Sequence, residues 1–475
     1  MAAVDRSAEL EAANPSAPPT VVSTQRVIIT SIRRAARNAL YAAAARTALG
    51  FAKVLIRRRF DQFIKRLADE LITLNPVKWA AVIGALSLFR AIRAAIHLAL
   101  ASLHKVLPGS AVSTIASVAA GATVAQGARV MEQSTRTELA LYMFVRAVHS
   151  VVSSYALPLM PAPVRNFEHY DVITMGATGA QILYAIVFSP RSHSASYMDF
   201  LQRCTLLGPD ECGSIAAFHR DHTTPLLVRE AARRNVGLPA SHPTRCMNDM
   251  CSLMHLRRDD GCTYNFLRWA VQHITTFSLP LYAPLKLSSF LLFGGHRAVM
   301  KSPVSALTKL ATSILSSAGF LTMYCGGPLV SLCVTSNVPG LRGGWKIGLM
   351  AGLTCTAATF IEPKPRRLDL ALYCCMHALR SWWLTLYHRG WVSKPTSGLL
   401  AMLWTVSVAA FFHQYEVDPA ALNKKLKQGI GFIVGPAVGD ASQEKRPAST
   451  RRSRSRSPAP VGPAGVSATE RAASF

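Results

Sequence analysis

Long apolar stretches, separated by short polar and proline-containing segments, dominate the chain from residue 76 to residue 412. Most are close to the ~20 residues that an α-helix needs to cross the hydrocarbon core of a bilayer. They do not alternate with strand-like segments, so the pattern predicts an all-α, multi-pass transmembrane helical bundle. The stretches are Pro76–Leu100, Val112–Ala128, Leu139–Leu157, Val172–Phe188, Trp269–Phe293, Val304–Val334, Trp345–Phe360, Leu370–Leu386 and Leu399–Phe412.

The same pattern occurs twice, with a constant shift of 231 residues. When Ala120–Ser150 is placed over Ala351–Ser381 without a gap, ten of 31 positions are identical. Glu138 also meets Asp369, so the correspondence includes charge. We therefore predict a tandem duplication, with two homologous repeats on either side of a polar segment.

The polar segments give a predicted domain organisation. Acids and prolines crowd the first residues, and a Pro/Ala/Ser-rich composition marks the last ones. The predicted parts are a disordered N-terminus (1–25), a basic amphipathic helical arm (26–74), membrane repeat 1 (75–200), a polar linker with Cys and His (201–262), membrane repeat 2 (263–416) and a disordered basic Arg/Ser/Pro tail (417–475).

Small residues recur at every fourth position at equivalent places in the two repeats. Such a ridge lets two helix backbones approach closely and gain dispersion contacts that lipid does not supply. We predict a tight helix–helix seam there, either within a protomer or between the protomers of a homo-oligomer. The predicted packing residues are Gly344, Gly348 and Gly352 in the second repeat and Ser113, Ser117 and Gly121 in the first.

Composition agrees with a membrane protein that has basic ends. Hydrophobic residues make up 50% of the chain, charged residues only 16%, and the mean hydropathy is +0.23. Even so, 52 Lys and Arg against 25 Asp and Glu give a formal net charge of +27. This balance argues against an ordinary soluble enzyme, and the chain is too apolar to be a disordered nucleic-acid binder.

Positive charge is concentrated near both ends. Arg26–Arg66 contains eleven Lys and Arg and one acid. We interpret it as a membrane-surface anchor or internal targeting helix, with a solvated helix as the alternative. The tail carries an Arg/Ser run in which Ser453, Ser455 and Ser457 are predicted regulatory phosphorylation sites. The expected partners are the bilayer, anionic lipid head groups and proteins that bind the arm or the tail, and not nucleic acid.

Cations inside apolar stretches provide a further functional hint. Arg90 and Arg93 share one helical face, and Arg146 occupies the place that His377 has in the other repeat. Because an intramembrane cation costs several kcal/mol, it must face protein, water or a lipid phosphate. Arg146 and His377 either line a polar cavity for an anionic lipid or solute between the repeats, or lie near helix ends and snorkel.

Catalytic and metal-binding motifs are weak. GxSxG, HExxH, GxxxxGK[ST] and GxGxxG do not occur. His255 and Asp260 have the His-x4-Asp spacing of glycerolipid acyltransferases, in which the acid orients a His base. Cys246, Cys251, His255 and Cys262 have ligand types that suit zinc, but their spacing is not that of a standard finger. We interpret this region as a solvated loop and expect no enzyme activity and no cofactor.

Several strings carry a family resemblance. They are RRLDLALYCCMHALRSWW (Arg366–Trp383), TELALYMFVRAVHSVV (Thr137–Val152), HYDVITMGATGAQILYAIVFSPRSHSASYMDFL (His169–Leu201) and LPLYAPL (Leu279–Leu285). These strings resemble the transmembrane protein 135 family, over roughly residues 75–415. The glycine ridge is similar to that of a wider superfamily of mitochondrial inner-membrane import translocases and small peroxisomal membrane proteins.

The resemblance implies a multi-pass protein of peroxisomal or mitochondrial membranes, with a role in organelle organisation and dynamics and links to lipid metabolism. It implies no catalytic residues. The first functional hypothesis is therefore a non-enzymatic organelle membrane protein. The second is a lipid or metabolite carrier or pore that uses the interface between the two repeats. The third is a membrane acyltransferase that depends on His255 and Asp260.

Overall fold

The computed structural model describes residues 21–56, 75–102, 106–205, 262–292, 299–341, 344–419 and 424–435, with a few single positions between 207 and 216 and at 422. Within these residues about 89% of positions are helical and none lies in a strand, which confirms the predicted all-α class. The helices are α1 (Val21–Ile56), α2 (Asn75–Ser87), α3 (Phe89–Ala99), α4 (Gly109–Ala125), α5 (Gln133–Val151), α6 (Ala162–Arg165), α7 (Tyr170–Phe188), α8 (Ala195–Thr205), α9 (Cys262–His273), α10 (Leu279–Leu292), α11 (Pro303–Asn337), α12 (Gly344–Thr359), α13 (Lys364–His388), α14 (Ser397–Val417) and α15 (Lys424–Val434).

Six helical segments of the described chain are long and apolar enough to cross a membrane, which indicates a multi-pass integral membrane protein. They are Asn75–Ala99, Gly109–Val130, Gln133–Leu159, Tyr170–Phe188, Pro303–Thr335 and Ser397–Val417. Three predicted stretches are not among them. The α9–α10 stretch carries many polar residues, among them Thr275, Thr276 and Lys286, α13 begins with several charges, and α12 has only 16 residues. Sixteen residues span about 24 Å, less than the ~30 Å hydrocarbon core.

The helices form two compact units. The first comprises Met1–Met131 and Val408–Phe475, and the second comprises Glu132–Ser407. Their boundaries differ from those of the predicted repeats, because the first unit contains the start of one predicted repeat and the end of the other. Helix α14 contributes residues to both units.

Helix α1 is a packed component of the first unit rather than a free arm. Its buried side chains recur every three or four residues, so they form one stripe that lies against α2. The stripe consists of Thr24, Val27, Ser31, Ala35 and Asn38. The arm predicted at 26–74 therefore begins within a helix that starts at Val21, and one face of this helix belongs to the protein core.

The same helix holds the C-terminal end of α15. The amide of Asn38 donates to the carbonyl oxygens of Phe432 and Ile433, both at 3.1 Å. Arg34 donates to the carbonyl oxygen of Val434 at 2.7 Å. Carbonyl groups in the last turn of a helix have no partner within the helix, and a cation there also complements the helix dipole. Arg34 and Asn38 of α1 thus hold the C-terminal end of α15 in place.

Glycine lets α12 and α7 approach closely in the second unit. A Cβ atom at Gly352 would lie 2.8 Å from the Gly176 carbonyl oxygen and 3.1 Å from the Cβ of Ala180. A Cβ atom at Gly348 would lie 3.3 Å from the Ala180 carbonyl oxygen. Two residues of the predicted ridge therefore form a seam within the protomer. Gly344 begins α12, and its contacts lie outside the described part of the structure.

An equivalent close approach occurs in the first unit. A Cβ atom at Gly121 of α4 would lie 2.5 Å from the Cα of Ala409 in α14. Ser117 is buried on the same helix, and its hydroxyl donates to the Ser113 carbonyl oxygen at 2.9 Å. The small residues predicted in the first repeat thus also lie in or beside a helix contact.

Helix α11 runs unbroken through Pro328, so the predicted stretch Val304–Val334 forms a single helix. Proline has no N–H group, so the carbonyl four residues earlier, that of Tyr324, loses its helical partner. The thiol of Cys355 donates to this carbonyl oxygen at 3.6 Å. A side chain from α12 therefore satisfies the acceptor that the proline leaves open, and α11 continues as one helix.

The glycine seam gives a first prediction. Gly352→Ala should lower the unfolding temperature, because overpacking against backbone costs about 1–3 kcal/mol. Gly319→Ala is the matched control: it lies within α11, and its nearest neighbour would be Ile361 Cγ2 at 3.9 Å. The control should leave the stability unchanged or raise it by up to about 1 kcal/mol, because Ala has a higher helix propensity than Gly. Thermal unfolding in detergent measures both variants, and equal effects would contradict the close approach.

Candidate functional site

The first unit contains a buried cluster of opposite charges. Arg90 and Arg93 lie on one face of α3 because they are three residues apart. The Nε of Arg90 is 3.0 Å from Oε1 of Glu416, and Nη1 of Arg93 is 3.3 Å from Oε2. The Glu416 side chain is 2% exposed, so its charge is balanced inside the protein. Arg93 also donates through Nη2 to the hydroxyl of Ser113 at 3.0 Å.

The C-terminal end of α15 reaches this charge cluster. A Cβ atom at Gly435 would lie 2.8 Å from Nη1 of Arg34 and 2.9 Å from Nη1 of Arg90. Gly435 has a φ of 111°, which a residue with a side chain rarely adopts. The hydroxyl of Tyr415 donates to the Gly435 carbonyl oxygen at 2.7 Å. Glycine is therefore favoured here by its backbone conformation, and any side chain would also displace the two guanidinium groups.

Sequence reasoning identified the two arginines but missed their counter-ion. Glu416 is the only acidic residue of the 21-residue helix α14. A single carboxylate in an apolar helix must find a partner, since burying it alone is very unfavourable. The lone carboxylate in an apolar helix was therefore the feature of the sequence from which a buried ion pair could have been predicted.

Two further charge pairs join α5 and α13 in the second unit. Nη1 of Arg146 is 2.7 Å from Oδ1 of Asp369, and Nη1 of Arg380 is 3.6 Å from Oε1 of Glu138. The earlier residue of α5 meets the later residue of α13, so the two helices are antiparallel. The Arg146 side chain is 8% exposed, and its guanidinium also lies 5.2 Å from the centre of the Tyr142 ring.

Between these pairs lies a small apolar seam. It is built by Val145, Leu372 and Met376, with Leu141, Phe144 and Cys375 packed beside them. Six of the seam residues form three pairs that are 231 residues apart in the chain: Leu141 with Leu372, Phe144 with Cys375 and Val145 with Met376.

His377 belongs to a different cluster, a stack of rings that we call the histidine–tyrosine stack (His193, Tyr197 and His377). The rings of His377 and Tyr197 are parallel, with centres 3.6 Å apart, and the ring of His193 meets Tyr197 at 5.4 Å. Both histidines are more than nine-tenths buried. Their Nε2 atoms have no hydrogen-bond partner among the described residues.

Burial determines the ionisation of His193, which lies outside the candidate spans. The pKa of the imidazole is lowered from 6.5 to about 4, mainly by burial and to a smaller extent by the nearby Arg380. A hydrogen bond with the backbone at Ile182 acts in the opposite direction. His193 is therefore neutral at physiological pH.

The structure does not join the two residues predicted to line one polar cavity. Arg146 contacts Asp369, which precedes His377 by eight residues, or about 12 Å along α13. His377 contacts the rings of Tyr197 and Tyr373. Within the described residues, no hydrogen bond or ring contact connects Arg146 to His377.

Other sequence candidates fall outside the described residues. They are Cys246, Cys251, His255, Asp260, Ser453, Ser455 and Ser457. Cys262 is the first residue of α9 and is partly buried. Among the residues that the structure does describe, no group of three or more His, Cys, Asp and Glu is arranged to hold a metal ion.

Comparison with known proteins adds no assignment. No family model, curated protein or solved structure matches the chain. The resemblance to the transmembrane protein 135 family therefore stays a prediction from the sequence.

Glu416 yields a second prediction. Glu416→Gln should destabilise the protein by about 3–5 kcal/mol, because two arginines lose their shared counter-ion in a buried place. Glu168→Gln is the control, because it removes a carboxylate from an exposed ion pair. The side chain of Glu168 is 70% exposed and that of its partner Lys364 is 60% exposed. The control should leave the unfolding temperature nearly unchanged. Similar effects of the two variants in a thermal unfolding assay would exclude a buried ion pair.

His193 gives a third prediction. Between pH 6.5 and about 4 the unfolded chain binds a proton at His193 that the folded protein does not bind. Acidification over this range should therefore lower the stability by up to about 1.4 kcal/mol per pH unit. His193→Gln should remove this part of the pH dependence, whereas His388→Gln, at an exposed position, should not. Parallel pH profiles for the wild type and His193→Gln would refute the assignment.

Proposed function

We propose that the protein is a non-enzymatic, multi-pass protein of a peroxisomal or mitochondrial membrane, where it helps to organise the organelle and is linked to lipid metabolism. Six candidate spans and the excess of basic residues support a membrane role. The organelle comes from the family resemblance of residues 75–415.

One observation favours a fixed scaffold over a permeation pathway. Three arginines of the candidate spans contact carboxylates of other helices in the same unit: Arg90 and Arg93 contact Glu416, and Arg146 contacts Asp369. Charges that line a pathway must face water or a ligand. Charges paired across helices instead hold the helices together, which is the property that a scaffold needs.

The proposal includes the tandem duplication. Helix α5 begins at Gln133 and α13 begins at Lys364, a difference of 231 residues. Shifted by the same number, α4 overlaps α12 and α7 overlaps α14. Helix α7 of the first half packs on α12 of the second half through Gly176 on Gly352, and α14 of the second half packs on α4 of the first half through Ala409 on Gly121. Such matching contacts are expected of a duplicated module, because both copies begin with the same packing surfaces.

The exposed side of α1 supports contact with anionic lipid head groups. Arg26, Arg33 and Arg37 are exposed and lie at spacings of seven and four residues, so they follow one side of the helix. Ile29 and Leu40 lie beside them and are 50% and 72% exposed. Basic residues next to exposed apolar ones are typical of a helix at the boundary between head groups and acyl chains.

A lipid or metabolite carrier is the second candidate. It is favoured by the unpartnered Nε2 atoms of His193 and His377, which are buried hydrogen-bonding groups in the second unit. A polar solute would supply the missing partners. A carrier requires in addition that this region opens to water on alternate sides of the membrane.

A fourth prediction tests the proposal in cells. The full chain with a fluorescent tag should coincide with peroxisomal or mitochondrial markers, and its removal should change the number or length of that organelle. Labelling of the endoplasmic reticulum or nucleus alone would contradict the proposal, as would unchanged organelles in cells that lack the protein.

A matched pair of variants separates scaffold from carrier. His193→Leu combined with His377→Leu removes the two unpartnered imidazoles that favour the carrier, and the apolar replacements leave no buried polar group without a partner. The control combines Lys364→Met with Glu168→Leu at the exposed pair. A scaffold predicts that both double variants restore normal organelle shape. Rescue by the control alone, with both variants equally abundant in the membrane, would favour the carrier.

A further inference from the structure

Helices α7 and α12 lie side by side in the second unit and run in opposite directions. A Cβ atom at Gly352 would meet the Gly176 carbonyl oxygen, whereas one at Gly348, a turn earlier in α12, would meet the Ala180 carbonyl oxygen, a turn later in α7. The first turn of α12 therefore lies beside the last turns of α7.

Helix α13 also lies along α7 but runs in the same direction. Near the beginning of both helices, Nζ of Lys364 is 2.6 Å from Oε2 of Glu168. Near the end of both, Nη2 of Arg389 donates to the hydroxyl of Tyr184 at 2.5 Å. The end of α13, the end of α7 and the beginning of α12 thus lie on one side of the unit.

Tryptophan is concentrated on this side. Four of the seven tryptophans of the chain lie at the start of α12, in the last two turns of α13 or just after α13. They are Trp345, Trp382, Trp383 and Trp391, and we call this side the tryptophan end. Trp345 and Trp391 are 68% and 70% exposed. Because an indole combines a large apolar ring with one polar N–H, tryptophan is enriched where lipid head groups meet acyl chains.

A cation adjoins each of these two exposed rings. The guanidinium of Arg389 lies 5.6 Å from the centre of the Trp391 ring, and Nζ of Lys346 lies 5.8 Å from that of Trp345. Lys346 also donates to the Gly340 carbonyl oxygen at 2.6 Å. Within the described part of the chain, neither cation forms an ion pair with a carboxylate. The positive charge of the tryptophan end is therefore available to an anion such as phosphate.

The exposed face of α12 beyond the tryptophan end is apolar. Leu349 and Leu353 are exposed and follow Trp345 at intervals of four residues, so the three side chains form one stripe. Ile173 of the neighbouring α7 is exposed as well. After Lys346, the sequence of α12 contains no charged residue. Such a face suits acyl chains rather than water.

A second basic–aromatic pair closes the other end of this stripe. Phe360 follows α12 and is exposed, and the guanidinium of Arg367 lies 5.2 Å from the centre of its ring. Trp345 and Phe360 are fifteen residues apart, or about 22 Å along a helix. This is shorter than the ~30 Å hydrocarbon core, but bilayers thin locally around short spans, and Lys and Arg side chains reach outward to the head groups.

We propose that α12 is a further membrane span beside α7, and that the tryptophan end lies among phospholipid head groups, where Arg389 and Lys346 bind lipid phosphate. This inference rests on the proposed membrane location and adds which surface meets the lipid. Trp345 and Trp391 lie at the boundary of the hydrocarbon core, and the apolar stripe of α12 faces acyl chains. A bilayer has two polar surfaces with an apolar layer between them, and cation–aromatic pairs at both ends of an uncharged stripe match this order.

The test uses the full-length chain in phosphatidylcholine vesicles, with tryptophan fluorescence as the readout. Lipid that carries bromine near its head group should quench more of the fluorescence than iodide in the water. Trp345→Phe and Trp391→Phe should each lower the fraction that the brominated lipid quenches, because each removes an indole from the boundary. Trp404→Phe is the control: this indole is 7% exposed, so its removal should raise the quenched fraction.

Failure of the inference differs from failure of the proposed function. A chain that alkaline carbonate extracts from the vesicles would contradict the membrane location and this inference with it. A chain that stays in the vesicles, with Trp345 and Trp391 quenched by iodide and not by brominated lipid, would overturn this inference alone. Resistance of both indoles to both quenchers would overturn it too, because a partner protein or a second copy would then cover them.

Arg389 tests the binding of phosphate. Phosphatidylglycerol added in detergent should raise the unfolding temperature more than an uncharged galactolipid that has no phosphate. Arg389→Gln should remove about half of this difference, because one of the two cations of the tryptophan end is lost. Arg203→Gln, at the exposed pair with Asp199 on α8, should leave the difference unchanged. An undiminished difference in Arg389→Gln would overturn the role of Arg389, as would equal stabilisation by inorganic phosphate alone.

Discussion

The neutralisation of charge inside the helix bundle is the constraint on which the rest of the structure depends. The hydrocarbon core of a bilayer offers no water to solvate an arginine or a glutamate, so each must find its opposite within the protein. In the first unit Glu416 binds Arg90 and Arg93 together, and in the second Arg146 binds Asp369. These contacts set which helices are neighbours and in which register, because a shift by one residue separates the paired atoms.

Close backbone contact acts together with these pairs. Hydrophobic burial does not drive helices together in lipid, so dispersion contacts between small residues take its place. Gly352 on Gly176 in one unit and Gly121 on Ala409 in the other supply them. The Cys355 thiol satisfies the Tyr324 carbonyl that Pro328 leaves without a helical partner. The hydroxyls of Thr322 and Ser278 bond to the buried imidazole of His273. Polar side chains thereby stabilise helices whose geometry or burial would otherwise leave hydrogen-bonding groups without partners.

The sequence predicted helices and spans well, because hydrophobic length is a local property. It also placed Gly348 and Gly352 on a packing face, since their spacing is read directly from the chain. Partners were harder to predict: Glu416 lies more than 300 residues from the arginines it binds, and no local pattern specifies that distance. The same applies to Tyr197 on His377. The basic residues of α1 are prominent in the sequence, whereas its buried stripe consists mainly of small residues, so the packing of this helix on α2 was not predicted.

The most direct test of this account is a double-mutant cycle between Arg90 and Glu416. The unfolding free energies of Arg90→Met, Glu416→Gln and the double variant are compared with that of the wild type in one detergent. A buried ion pair predicts a coupling energy of about 2 kcal/mol or more, with the double variant more stable than Glu416→Gln alone. A coupling energy near zero, with additive losses, would mean that the two charges do not meet and would contradict the central claim.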